Sequence, residues 1–238
     1  MSGDARDRGF ALVLAGPSGA GKTTITRELI SRFPGDFVFS VSATTRPPRP
    51  LEENGKDYDF VSPQEFEKLI EGHELIEWAT VHGNLYGTPR RNVERAIEGG
   101  HVVVLDIDVQ GARQIRACFK DAVLVFVLPP SPEVFWSRLT ARGTEGPKEL
   151  RSRILTAAEE LEQGLGFDYF VVNDDLVHAT EVVRTIVKAE TCRAARATAV
   201  AGTIRGLQAE IARLADAAGE RPAGPGRREE GAVGRGPG

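Results

Sequence analysis

An α/β fold built on a mostly parallel sheet follows from three features of this 238-residue chain. Short apolar runs recur at Phe10–Ala15, Val38–Ser42, His101–Asp106, Ala122–Leu128 and Tyr169–Asn173. The segments between them mostly carry helical patterning, the alternation expected of strands joined by crossover helices. Three of the runs are almost continuously apolar, as strands covered on both faces must be. The length suffices for one large α/β domain with insertions.

Taken in order, residues 1–9 are polar and charged, with no apolar stretch of the kind a signal peptide needs. The first apolar run then feeds Gly16, Pro17, Ser18, Gly19, Ala20, Gly21, Lys22 and Thr23, a complete G-x-x-x-x-G-K-T sequence, and a helical segment follows from Thr24 to Phe33. Strand, loop and helix together are the context such a motif requires. The glycines let the backbone wrap a polyphosphate, and loop amides and helix N-terminus point at the anion. Lys22 suits the β- and γ-phosphates, and the Thr23 hydroxyl suits Mg²⁺. A nucleoside triphosphate is the expected ligand, within the three-layer fold of P-loop NTPases.

Between Ser42 and Gly100 the pattern changes. Pro47, Pro48 and Pro50 break the chain, and Asp57–Val61 alternates polar with apolar residues. That reads as an inserted lobe, about 42–95, with short antiparallel strands. A second insertion, about 131–165, is helical and rich in arginine. A helix is expected from Ala179 to about Ala189, and another across 190–218. In the latter Ala197, Val200, Ile204, Leu207, Ile211 and Leu214 form a short a/d seam interrupted by Gly202 and Gly206. Such a stripe must be covered, and self-association is one way to cover it. The stretch 219–238 is rich in glycine and proline, without aromatic residues, a composition expected to stay disordered.

Bulk properties exclude several classes. A net charge of −4 offers no electrostatic case for nucleic acid. No run approaches the roughly 18 apolar residues of a membrane span. Cys118 and Cys192 form no C-x-x-C pattern, so two ordinary thiols in a reducing cytoplasm are expected.

Arg46 and Arg49, three apart on a proline-stiffened loop, suit a bidentate clamp on a second phosphate. Tyr58 and Tyr86 could add phenolic donors. Asp106 and Asp108 end an apolar strand, where ligands gather in open α/β sheets, and alternation puts both carboxylates on one face. Asp108 can equally be a helix cap.

These segments resemble guanylate kinase. The resemblance runs from Phe10 to about Ala189. Its marks are the loop at 16–23, the stretches 42–50 and 54–60, Glu77-Trp78-Ala79, Tyr86-Gly87-Thr88, 106–111, 142–145 and 172–175, all in the family's order and spacing. The resemblance implies transfer of the ATP γ-phosphoryl group to GMP with Mg²⁺. It implies that residues 42–95 form a GMP-binding lobe and that 131–165 form a lid. Arg46, Arg49, Tyr58 and Tyr86 match positions that hold the GMP phosphate, and Ser42, Glu77 and Thr88 match those that read the base. Asp106 matches a position near Mg²⁺ and its waters, and Asp108 one on the GMP side that orients the clamp arginines. Arg138, Arg142 and Arg153 match lid arginines. Thr24 belongs with the phosphate loop, and Asn173 matches a position near the adenine.

Guanine chemistry agrees with this assignment. N1–H and the 2-amino group are adjacent donors that one carboxylate can accept, while a hydroxyl donates to O6. Adenine would set a lone pair against Glu77, a buried mismatch of about 1–3 kcal/mol. Leu51 departs from the resemblance, standing where glycine is common. Two other readings remain: a non-catalytic guanylate-kinase-like binding module, and a nucleoside-monophosphate kinase with another base preference. Intact Lys22 and Thr23 argue against the first.

Overall fold

A computed structural model describes residues 9–81, 83–140, 147–196 and 198–219. They contain β1 (Phe10–Ala15), α1 (Lys22–Arg32), β2 (Phe37–Phe39), β3 (Ser42–Thr44), β4 (Tyr58–Phe60), α2 (Pro63–Glu71), β5 (Leu75–Val81), β6 (Asn84–Pro89) and α3 (Arg90–Glu98). After these come β7 (Val102–Asp106), α4 (Val109–Cys118), β8 (Val123–Leu128), α5 (Pro132–Thr140), α6 (Pro147–Gln163), β9 (Tyr169–Val172), α7 (Leu176–Thr191) and α8 (Thr198–Gly219).

Five strands pair in parallel in the order β2-β7-β1-β8-β9. β1 is buried along its whole length, and its side chains alternate between two helical layers. Leu12 and Leu14 pack with Ile25 and Leu29 of α1 and Val183 and Val187 of α7. Ala11, Val13 and Ala15 pack with Val93 and Ile97 of α3 and Ala112 and Ile115 of α4. This is the three-layer α/β architecture that the continuous apolar runs predict.

The expected strand Val38–Ser42 is in fact two strands in different sheets. β2 pairs with β7, and Ser40 N donates to Val104 O before the chain leaves. β3 belongs to a second sheet, of order β4-β3-β6-β5. Nor are all strands of that lobe antiparallel: β3 pairs antiparallel with β6 but parallel with β4, because the long loop between β3 and β4 brings the chain back in the same direction. Phe66 of α2 packs against Ala43 and Leu75 of this sheet. α2 itself starts at a capping box, with Ser62 Oγ accepting from Glu65 N and Ser62 N donating to the Glu65 carboxylate.

Packing continues past Ala189. Arg196 is buried, donates to the Glu190 carboxylate and to Asp121 O, and lies over the Phe10 ring at 4.2 Å. Tyr169 donates to Glu190 at 2.6 Å. α8 forms a separate unit. Its Val200, Ile204, Leu207, Ile211 and Leu214 are exposed. The expected disordered stretch begins at Gly219, which ends α8; residues 220–238, like 1–8, lie outside the described residues.

Candidate active site

The parallel strands end at a cavity of about 580 Å³ lined by Ser18, Gly19, Gly21, Lys22, Thr23 and Thr24 on one side and by Ser42, Arg49, Tyr58, Glu77 and Tyr86 on another. Asp106, Asp108, Arg138, Arg153, Glu160 and Asn173 also line it. It thus joins the carboxyl ends of the parallel strands to the second sheet.

The phosphate loop is built as its sequence requires. Gly21 has φ +96°, and a Cβ there would meet Asn173 Nδ2 at 2.1 Å, so only glycine fits. Gly21 caps α1 without a side chain, and no acid occupies the first helical turn. The helix N-terminus is thereby left to an anion. Lys22 Nζ rests on Gly16 O at 2.7 Å and Pro17 O at 3.4 Å. Arg153 Nη2 donates to Ser18 Oγ at 2.7 Å. Arg138 Nη2 donates to Asn173 O at 3.1 Å, while its Nη1 is buried without a hydrogen-bond partner. A guanidinium nitrogen in that position, beside a helix N-terminus, has the geometry of an anion ligand. Thr23 Oγ1 donates to Asp106 Oδ2 at 2.5 Å, bringing the two expected metal ligands together.

The second sheet assembles the other half. In its register Glu77 lies opposite Thr88. Both are buried, and Thr88 Oγ1 donates to Glu77 Oε1 at 2.5 Å. Burial pushes the Glu77 carboxyl up to about 7, with Thr88 opposing the rise and Asp108 adding to it. α4 approaches so closely that a Cβ on Gly111 would come within 2.6 Å of Glu77 Oε2. Ser42 is buried at the start of β3. Arg46 Nε donates to Tyr86 OH at 3.1 Å. Burial pushes the Tyr58 phenol up to about 12, so it remains a donor.

Asp108 and Asn173 also make bonds within the protein. Asp108 lines the cavity, but its carboxylate caps α4, accepting Gly111 N at 2.7 Å. Arg46 and Arg49 are both held by Glu52, which accepts two bonds from Arg46 Nη2 and one from Arg49 N. Its signal in the sequence is only its nearness to both arginines. Asn173 is buried with its amide donating to Ala20 O at 2.7 Å, so that side chain braces the loop. Arg142 lies outside the described residues. Glu160, a cavity carboxylate on α6, carries no motif at all.

A family model for guanylate kinase matches residues 8–190. A guanylate kinase of Symbiobacterium thermophilum is 48% identical over 191 residues, 80% of this chain and 90% of that protein. One of Gloeobacter violaceus is 52% identical over 176 residues, 74% of this chain and 85% of that protein. The crystal structure of guanylate kinase from Anaplasma phagocytophilum superposes with a TM-score of 0.71 at 32% identity, covering 84% of this chain and 95% of that one. The phosphate loop, the facing second sheet and these likenesses agree: the chain belongs to the guanylate kinase family and is an ATP:GMP phosphotransferase.

Proposed function

We propose that the phosphate-loop side of the cavity holds ATP, that the second sheet holds GMP, and that the γ-phosphoryl group passes between them in line without a covalent intermediate. The observation that carries this reading is one cavity lined both by the phosphate loop and by the Glu77 site. Lys22 exchanges its loop carbonyls for phosphate oxygens, which are stronger acceptors. Arg138, Arg153 and Arg142 neutralise charge as it spreads over the transferred group, and Arg46 and Arg49 hold the GMP phosphate with Tyr58 and Tyr86. Positioning and charge do this work, so no general base is needed. Glu77 accepts guanine N1–H and the 2-amino group, while Ser42 or Thr88 donates to O6. Closure of the lobe and lid excludes water from the transfer.

Mg²⁺ is part of the proposal. It usually keeps several waters and takes one or two protein oxygens beside substrate phosphates. The Thr23 hydroxyl and Asp106 carboxylate, already 2.5 Å apart, fit that demand: Thr23 would hold the ion and Asp106 would hold it or its waters. When bound, the ion would offset phosphate charge.

Self-association through the apolar stripe of α8 is also proposed. So is a cytoplasmic setting, which suits the substrates and the free thiols of Cys118 and Cys192. Neither nucleic acid nor a membrane is expected as a partner; no helix among the described residues is long and apolar enough to cross a membrane.

Two measurements test the site. Steady-state rates with GMP, AMP, CMP and UMP should show turnover with GMP alone at comparable concentrations. Lys22→Ala should cost on the order of 10³-fold or more in kcat while leaving the fold intact. Near-normal kcat in a folded Lys22→Ala variant would overturn the phosphate-loop assignment.

A further inference from the structure

α6 reaches the phosphate loop with two groups of opposite charge. Arg153 and Glu160 are seven residues apart, two helical turns, and so share a face. Arg153 donates to the Ser18 hydroxyl at 2.7 Å. Glu160 lines the same cavity as Ser18, Gly19 and Lys22. A carboxylate therefore shares the cavity of the phosphate loop, where a polyphosphate is the natural anion.

We propose that Glu160 is an internal counter-anion of the phosphate loop: its charge faces the loop's cavity when no nucleotide is bound, and it opposes entry of the ATP phosphates. It is a positioning residue with no part in bond making. Its role follows from like charge. The loop gathers positive groups for phosphate, and Glu160 partly satisfies them beforehand. The residue also restrains retention of ADP, which bears the same phosphates at that loop.

The surrounding charge supports this. Burial pushes the Glu160 carboxyl up to about 7; Lys22 opposes the rise, Asp108 adds to it, and the Ser18 amide opposes it. Asp106, Arg138 and Arg153 line the same cavity. Near neutral pH the group thus balances between an anion that repels phosphate and a neutral acid that does not.

The inference rests on the phosphate loop being the ATP site, and its test separates the two. Binding of Mg²⁺·ATP, Mg²⁺·ADP and GMP to the full chain is measured by calorimetry for the wild type, Glu160→Gln and Glu160→Ala, with near-ultraviolet circular dichroism to verify folding. Removing one like charge near the phosphates should tighten ATP about five- to tenfold, ADP less, and GMP not at all. KM for ATP should fall while KM for GMP stays. The gain should be full at pH 8.5 and shrink below about pH 7, where the wild-type carboxyl takes up a proton. ATP affinity that is unchanged or weaker in both variants overturns the proposal, as does a gain for GMP equal to that for ATP. Lys22→Ala with undiminished ATP affinity would instead overturn the phosphate-loop assignment itself.

Discussion

Glu52 presents both carboxylate oxygens to one guanidinium nitrogen of Arg46, each at 3.0 Å, and its Oε2 also accepts the Arg49 amide at 2.7 Å. One carboxylate thus fixes the first clamp arginine by its side chain and the second by its backbone. Both partners of the Arg46–Glu52 pair are largely buried. Glu52→Gln replaces charge-assisted bonds by weaker ones, a loss of about 1–3 kcal/mol. The expected result is a fall of roughly tenfold in kcat/KM for GMP with little change in KM for ATP. Equal losses for both substrates would make Glu52 a fold residue rather than an organiser of the clamp.

Glu77→Gln should damage GMP use selectively. The amide presents its oxygen to one guanine donor and its NH₂ to the other. About 2–4 kcal/mol in kcat/KM for GMP is expected, with KM for ATP nearly unmoved.

The raised Glu77 carboxyl also predicts two opposite pH trends. Its folded-state value of about 7 exceeds the ordinary 4.5, so the nucleotide-free fold binds this proton more tightly than the unfolded chain does. Its contribution to stability is full below about pH 4.5 and is lost as pH rises through about 7. The melting temperature of the wild type relative to Glu77→Gln should therefore fall between pH 5 and pH 8. In the proposed base site, by contrast, GMP needs the carboxylate. Its affinity for the wild type, relative to Glu77→Gln, should strengthen over the same rise. Parallel trends in the two measurements would remove Glu77 from base recognition.

Leu51 has φ +75° and is fully exposed. The left-handed conformation costs a branched L-residue about 1–2 kcal/mol, and no packing repays it here. Glycine removes that strain but adds unfolded-state entropy, so Leu51→Gly should stabilise by a net of about 0.5–1 kcal/mol. Urea unfolding measures this directly; a destabilised variant would mean the leucine makes a contact in solution.

Removing α8 should change mass without changing chemistry. The cut belongs after Ala197, because Arg196 and Glu190 are buried in the kinase domain. Light scattering should show the full chain as a dimer and the shortened one as a monomer, with equal kcat. Monomers at all concentrations for both would end the self-association proposal.

The parallel sheet was legible because β1, β7 and β8 are buried on both faces, a demand that writes continuous apolar residues into the chain. The split between β2 and β3 was not. Residues 37–44 form one β-prone stretch, and only pairing with Val102–Val104 on one side and with Tyr86 and Gly87 on the other divides it. The loop at 16–23 announced itself because its glycines answer local backbone demands. Glu52 and Glu160 could not, since a carboxylate in a polar stretch looks like any solvated one until tertiary structure sets it beside an arginine or inside a cavity. Asp108 was legible twice over, as a cavity residue and as a helix cap, and the structure shows the cap bond.

The second sheet has a consequence for how such a protein can change over time. Ser42, Glu77 and Thr88, the residues assigned to the base, all lie within one excursion of the chain between β2 and α3. Lys22, Thr23, Asp106, Arg138, Arg153 and Asn173 all lie outside it. Under the proposed roles, acceptor preference and phosphoryl chemistry are inherited on separate stretches of polypeptide. Recombination at its two borders could exchange one heritable trait as a cassette while the other passes on unaltered.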